Sequence, residues 1–248
     1  MSDDSNGKRP ELDRVWASLV GEGYVLTSED EIGLPVKFRD DFLQAYFTDT
    51  YIRHDPGDWP QDRKRARDVV RYRWHGDDLR LEEHDTIALT DRAGIPGKRE
   101  HSRVMLLDDA QAEGFISAIL KLVPPDRRKS TGTLGVNLFR TFTDVVTKPH
   151  HDDEELIIVY VLDRKGEGAE TYLCDLPAEG ESVGGAVLRK QLNPGDILVF
   201  EDARFIHGTT SLEPLPDGTA MRDVLVCTVD SSATYLSALS PSQDVVKG

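Results

Sequence analysis

From Pro149 to Gly208 the chain reads PHHDDEELIIVYVLDRKGEGAETYLCDLPAEGESVGGAVLRKQLNPGDILVFEDARFIHG, and this stretch decides the fold. It breaks into short runs rich in apolar and β-branched residues, ELIIVYVL (155–162), AETYLCDL (169–176), AVLRKQL (186–192) and DILVF (196–200), divided by Gly, Pro and Asp. Runs of that length and composition are strands joined by turns, and Pro194-Gly195 supplies turn geometry just before DILVF. TLGVNLFRTF (133–142) precedes the stretch and RDVLVCTV (222–229) follows it. Evenly spaced short strands of this kind predict a β-sandwich or jelly roll over residues 130–230.

Upstream the period changes from two to 3.6. Leu12, Val15, Trp16, Leu19 and Val20 predict a helix from Glu11 that Gly21 and Gly23 end. Phe42, Leu43, Tyr46 and Phe47 predict a second over 40–47. Phe115, Ile116, Ile119 and Leu120 predict a third, capped by Asp108 or Asp109 and stopped after Val123 by Pro124-Pro125. The chain therefore reads as mainly β with flanking helices. One domain is expected over 11–248, its first part (11–129) helical support, after a polar, disordered segment at 1–10 and with a loosely packed end from Ser231.

The composition excludes several classes. No apolar run approaches the roughly 20 residues of a membrane helix, and MSDDSNGKRPELD has no apolar signal core, so the expected location is cytoplasmic with no membrane partner. A net charge of −15 argues against nucleic acid, whose binding draws on cations placed against phosphates. An anionic ligand must then be met by a local group of arginines. The two cysteines, Cys174 and Cys227, sit in apolar runs as buried small side chains. Gly94-Ile95-Pro96-Gly97-Lys98 lacks the spacing of a phosphate loop, and Gly21-Glu22-Gly23 lacks the third glycine of a dinucleotide fingerprint.

Between Asp55 and Glu83 basic and acidic residues are mixed. In RYRW (71–74) a strand would put Arg71 and Arg73 on one side, where they are candidates to meet an anionic substrate.

Polar chemistry concentrates at Pro149-His150-His151-Asp152-Asp153, with His207 57 positions after His150. A His-x-Asp pair offers both side chains from one face of an extended segment, and a third ligand must come from a distant strand. Two imidazoles and one carboxylate make the facial set that suits iron(II) and leaves three adjacent sites open. Both His150-x-Asp152 and His151-x-Asp153 fit this reading. Arg222, opening the RDVLVCTV run, is placed to form a bidentate pair with the distal carboxylate of a dicarboxylic acid. Asn137 and Arg140 are further candidates for carboxylate contact, but their parities differ, so a regular strand cannot aim both at one site. His54, His75, His84 and His101 fit no metal spacing with one another.

From about Gly135 to Val229 these motifs resemble the iron(II)/2-oxoglutarate dioxygenases, and within them the subgroup of the bacterial L-isoleucine dioxygenases. The resemblance is carried by His150-x-Asp152, the hydrophobic strand ending at Asp163-Arg164, Gly168-Ala169-Glu170 to Asp175, Asp202-Ala203-Arg204-Phe205-Ile206-His207-Gly208, and Arg222-Asp223-Val224-Leu225. Its register selects His150-x-Asp152, since His151-x-Asp153 shifts Arg164 and Asp175 by one. Asp153 and Ala169 depart from the subgroup, which usually has Gly at the first and often Gly at the second.

The resemblance implies a double-stranded β-helix, a distorted cupin-like jelly roll, with iron(II) held by His150, Asp152 and His207. It implies 2-oxoglutarate and O2 as co-substrates, Arg222 on the far carboxylate, and hydroxylation of a small molecule, a free L-amino acid or a derivative. Related halogenases lack the carboxylate ligand, so the Asp152 present here favours hydroxylation. The alternatives are tailoring of a natural product on a carrier, by desaturation or cyclisation, and a non-catalytic jelly roll that senses metal or 2-oxoglutarate.

Overall fold

In a computed structural model, residues 9–54, 63–84, 103–142, 149–152, 154–177 and 183–230 are described. Residues 1–8 of the expected disordered start, the tail from Ser231, the Gly94–Lys98 segment, His101 and Asp153 lie outside the described residues, whereas Arg9 and Pro10, expected to be disordered, begin a helix.

The longest sheet is built from the runs read as strands. It has eight strands in the order β1 (Tyr24–Ser28), β10 (Asp196–Phe200), β6 (Leu156–Lys165), β13 (Met221–Val229), β5 (Thr131–Thr141), β3 (Lys64–His75) and β2 (Arg53–His54), with β4 (Asp78–Glu83) also paired to β3. A smaller sheet holds β11 (Phe205–Thr209), β8 (Glu170–Asp175) and β9 (Ala186–Gln191), and β7 (Glu167–Gly168) pairs with β12 (Leu212–Glu213). All these pairs are antiparallel. Along the chain the path crosses between sheets: β5 in the large one, His150 bridged to the small one, β6 back, β8 and β9 across, β10 back, β11 across, β13 back. That alternation is the double-stranded β-helix.

Strand parity explains the sequence of the central strands. On β6, Leu156, Ile158, Tyr160 and Leu162 join the core shared with the helices, whereas Ile157 and Val161 join the core between the sheets. A strand buried on both faces reads as the continuous apolar run LIIVYVL, without alternation. The helices α1 (Arg9–Glu22), α2 (Phe38–Tyr46) and α3 (Ala110–Lys121) cover the outer face of the large sheet. There Phe38 and Phe115 stack with centroids 5.2 Å apart, and Phe115 lies 5.8 Å from Tyr160. Asp109 caps α3, its Oδ1 accepting the Gln111 N–H at 2.8 Å. Gly23, at φ 80°, ends α1 in the left-handed conformation that a side chain disfavours. No described helix is long and apolar enough to cross a membrane.

The Arg-rich segment holds more order than its composition implies, for β3 runs 12 residues and pairs with β5 over ten of them. Its arginines Arg65, Arg67, Arg71 and Arg73 occupy one face because Ala66, Val70, Tyr72 and Trp74 fill the other. The short β1 escaped the sequence reading, being five residues beside a helix end.

Ala169 sits at φ 49° and is buried, with its N–H donated to Ser211 O at 2.9 Å. A left-handed L-residue is strained by about 1–2 kcal/mol, part of which is returned because glycine has more freedom to lose on folding. Ala169→Gly is therefore expected to stabilise the fold by roughly 0.5–1 kcal/mol, a rise of about 1–4 °C in Tm that thermal denaturation would register.

Candidate metal centre

The site is assembled where the two sheets' connections meet. Residue 150 forms an antiparallel bridge with residue 207: His207 N–H donates to His150 O at 2.9 Å and His150 N–H to His207 O at 3.2 Å. Their imidazoles emerge on one side, centroids 4.4 Å apart. Asp152, two residues on, turns its carboxylate to the same side, with Oδ2 3.6 Å from His150 Nε2 and 3.5 Å from His207 Nε2. One ligand-type atom from each of the three lies within 4.8 Å of the others. The side chains are partly exposed, 25%, 22% and 14% in the order His150, Asp152, His207, so the centre opens to incoming ligands. His151 is exposed, and among the described residues only this trio forms a group able to hold a metal.

His207 shares the inward face of β11 with Phe205, and its ring lies 5.1 Å from that of Phe200. Behind it stands Asp202, without exposed surface. Its Oδ2 accepts the N–H of Asp152 at 2.6 Å and of Glu154 at 3.1 Å, and its Oδ1 lies 3.2 Å from His207 Nδ1. Asp202 belonged to the motif that ends in His207, yet spacing alone gave it no task.

Arg222, the second residue of β13, lies on the face that Val224 presents to the core between the sheets. It is 5% exposed, and its Nε and Nη2 are buried with no hydrogen-bond partner. Desolvation, then repulsion from Arg164, which pairs with it across β6, pushes the guanidinium down to about 10, still charged at neutral pH. Arg164 itself is held by Gly166 O at 2.6 Å and by the Gln191 side-chain oxygen. A buried cation without an acceptor is costly unless an anion joins it. The inter-sheet core thus has the chemistry to receive a carboxylate, and the His-Asp-His group that to hold a divalent metal.

The other candidates separate by parity. Asn137 faces the inter-sheet side, and its Nδ2 donates to Val226 O at 3.1 Å. Arg140 lies on the opposite face, where it makes two hydrogen bonds, of 2.8 and 2.6 Å, to the buried Asp223 and stands 5.6 Å from the Phe47 ring. That pairing removes Arg140 from the site. Arg71 and Arg73 share the inward face of β3 with Arg65 and Arg67. Arg71, opposite Thr133, is half-buried at the sheet end where β6 begins after the Asp152 segment, whereas Arg73 is exposed. Arg67 was not singled out from sequence, although the alternation in KRARDVVRYRWH contains it. Burial lowers its guanidinium to about 10 against the attraction of Glu154.

The fold is shared with solved structures. A BsmA homologue from Methylobium petroleophilum superimposes with a TM-score of 0.72 at 20% identity, over 92% of this chain and 94% of that one. The Fe(II)/α-ketoglutarate-dependent dioxygenase TqaL gives 0.68 at 12%, over 92% and 90%. A prolyl-4-hydroxylase from Pseudomonas putida gives 0.54 at 11%, over 90% and 100%. No curated protein matches by sequence. The pattern of the 2OG-Fe dioxygenases does match, over residues 49–228, a span that includes the His-Asp-His group and Arg222. The chain belongs to the 2OG-Fe dioxygenase family and is an oxidoreductase that uses iron(II), 2-oxoglutarate and O2.

Proposed function

We propose that His150, Asp152 and His207 hold the iron, that Arg222 grips the distal carboxylate of 2-oxoglutarate, and that the enzyme hydroxylates a free L-amino acid or a close derivative. The observation that carries the site reading is the convergence of three ligand-type side chains from two distant segments. The substrate reading rests on the likeness of the motif order to the L-isoleucine dioxygenases.

Iron(II) held there supplies the activation of O2 that couples conversion of 2-oxoglutarate to succinate and CO2 with insertion of one oxygen atom into a substrate C–H bond. The chain's own part is binding and orientation. His150 and His207 present neutral Nε2 lone pairs, and Asp152 adds a negative charge that partly neutralises the metal. Arg222 offers its buried donors to a carboxylate, with geometric selectivity that a lysine ammonium lacks. Ile157, Val161, Phe200 and Val224 exclude water around that contact, which strengthens it. Asp152 fills a coordination position that a halide would need, which favours hydroxylation over halogenation. Arg71, and Asn137 through its remaining polar atoms, are the candidates to meet a substrate carboxylate.

The substrate class is tested by incubating the enzyme with iron(II), ascorbate, 2-oxoglutarate and each standard amino acid or common derivative. Mass spectrometry should find a product one oxygen heavier, and 2-oxoglutarate turnover that no amino acid stimulates would end this reading. Alanine at His150, Asp152 or His207 is expected to weaken iron(II) binding by roughly 100-fold or more in anaerobic titration, while His151→Ala binds normally. Loss of binding in His151→Ala with retention in His150→Ala would reverse the register. For Arg222→Ala the lost contact is worth roughly 2–5 kcal/mol, a rise of about 30-fold or more in the apparent KM for 2-oxoglutarate. Arg222→Lys should fall between it and wild type; equal KM values in all three at full iron loading would place the co-substrate elsewhere.

A further inference from the structure

Three carboxylates among the described residues have no exposed surface, Asp68, Asp202 and Asp223, and their partners differ. Asp223 is paired with Arg140. Asp68 accepts the N–H groups of Val69 and Leu106 at 2.8 Å each and has Arg103 at 3.7 Å. Asp202 has two backbone N–H donors on Oδ2, and its other oxygen faces an imidazole nitrogen. Asp202 Oδ1 and His207 Nδ1, both buried, lie 3.2 Å apart without being aligned as a hydrogen bond, and neither has a hydrogen-bond partner elsewhere.

We propose that Asp202 is a positioning residue for the metal centre: it holds His207 as the Nδ1–H tautomer, leaving Nε2 bare, and pins the Asp152 segment beside it. The proposal rests on the reading of His207 and Asp152 as ligands. A carboxylate oxygen only accepts, so an unprotonated Nδ1 3.2 Å away would leave two acceptors side by side in a buried setting with no donor between them. With the proton on Nδ1, a small ring rotation aligns it with Oδ1, and the free lone pair lies on Nε2. Nε2 is the atom 3.5 Å from Asp152 Oδ2. The same carboxylate's other oxygen binds the Asp152 N–H at 2.6 Å. One buried side chain therefore sets the tautomer of one ligand and the backbone position of another, and orientation of that kind typically changes metal affinity by about 10- to 100-fold.

Asp202 also begins a three-residue 3-10 turn, Asp202–Arg204, so a purely structural role must be separated from this one. The near-isosteric Asp202→Asn does so. Its amide oxygen must stay on the two N–H donors, since the reverse orientation sets NH2 against both. Its NH2 then faces His207 Nδ1, which has to accept, and the proton moves to Nε2, the atom needed for metal. A structural role predicts that Asp202→Asn is milder than Asp202→Ala; the tautomer role predicts that it is at least as damaging.

The experiment titrates Mn(II) anaerobically into wild type, Asp202→Asn, Asp202→Ala and His207→Ala, following free Mn(II) by electron paramagnetic resonance, with thermal melting of each metal-free protein. Affinity is expected to fall by about 10- to 100-fold in Asp202→Ala and no less in Asp202→Asn, with the Asp202→Asn melt near wild type. Binding by Asp202→Asn within about twofold of wild type overturns the proposal. If His207→Ala has lost binding in that case, the ligand set stands and the positioning role alone fails; if His207→Ala binds normally, the ligand set fails as well. A second measurement needs no Asp202 variant. In metal-free wild type with isotope-labelled histidine, the His207 resonance, assigned by its loss in His207→Ala, should report the Nδ1–H tautomer, and an Nε2–H form overturns the proposal.

Discussion

Two backbone hydrogen bonds exchanged between His150 and His207 join segments that lie far apart in sequence, and the site geometry follows from that bridge. Residues that exchange both bonds across an antiparallel pair carry their side chains on one face of the sheet. The two imidazoles are therefore neighbours by backbone geometry, before any metal draws them together. Period two then turns Asp152 to the same side. The bridge is short because the segment leaves the small sheet at once to enter β6, and that departure keeps the centre at an opening between sheets. What secures it is the extended β11–β8 pairing over five residues, which fixes His207 opposite Leu173 on a rigid strand.

Electrostatics impose the second constraint. A chain of net charge −15 repels a dicarboxylate at long range, so capture must rely on local, desolvated contacts. Arg222 and Arg164 stand opposite each other on neighbouring strands, both little exposed, and their repulsion opposes folding in the absence of an anion. Arg164 is partly satisfied by Gly166 and Gln191, whereas two buried Arg222 nitrogens have no hydrogen-bond partner. On the proposed role of Arg222, an anion that binds there only in the folded chain would stabilise it by mass action.

Much of this was legible in the sequence. The strand runs after Thr133, the three helices and their apolar faces follow from periodicity, and the double-stranded β-helix is what the resemblance to the 2-oxoglutarate dioxygenases implies. Parity alone warned that Asn137 and Arg140 could not share a site, and the β5 register separates them. It could not say which of the two faced inward, because that depends on the helices covering one side of the large sheet. Arg65 and Arg67 were hidden for the opposite reason: a strand that alternates basic with apolar residues looks in composition like a solvated loop, and its pairing with β5 is a long-range fact. The five-residue β1 carried too little pattern to announce itself.

Asp202 marks a different limit. Its five-residue separation from His207 places it on no common face of a strand, and nothing in a linear reading connects it to Asp152, 50 positions earlier. The connection arises because the 3-10 turn after β10 folds Asp202 back beneath the His150–His207 bridge. The contrast with the other fully buried carboxylates is informative. Desolvation raises the Asp223 carboxyl, opposed by a bidentate arginine, and raises Asp68 to about 7 despite two backbone donors and Arg103 nearby. Each of those has a guanidinium within 4 Å. Asp202 has in that position only an imidazole, which is neutral when it binds a metal through Nε2. On the proposed ligand set, a metal on His207 Nε2 would supply through the ring the positive charge that stands beside the other two carboxylates.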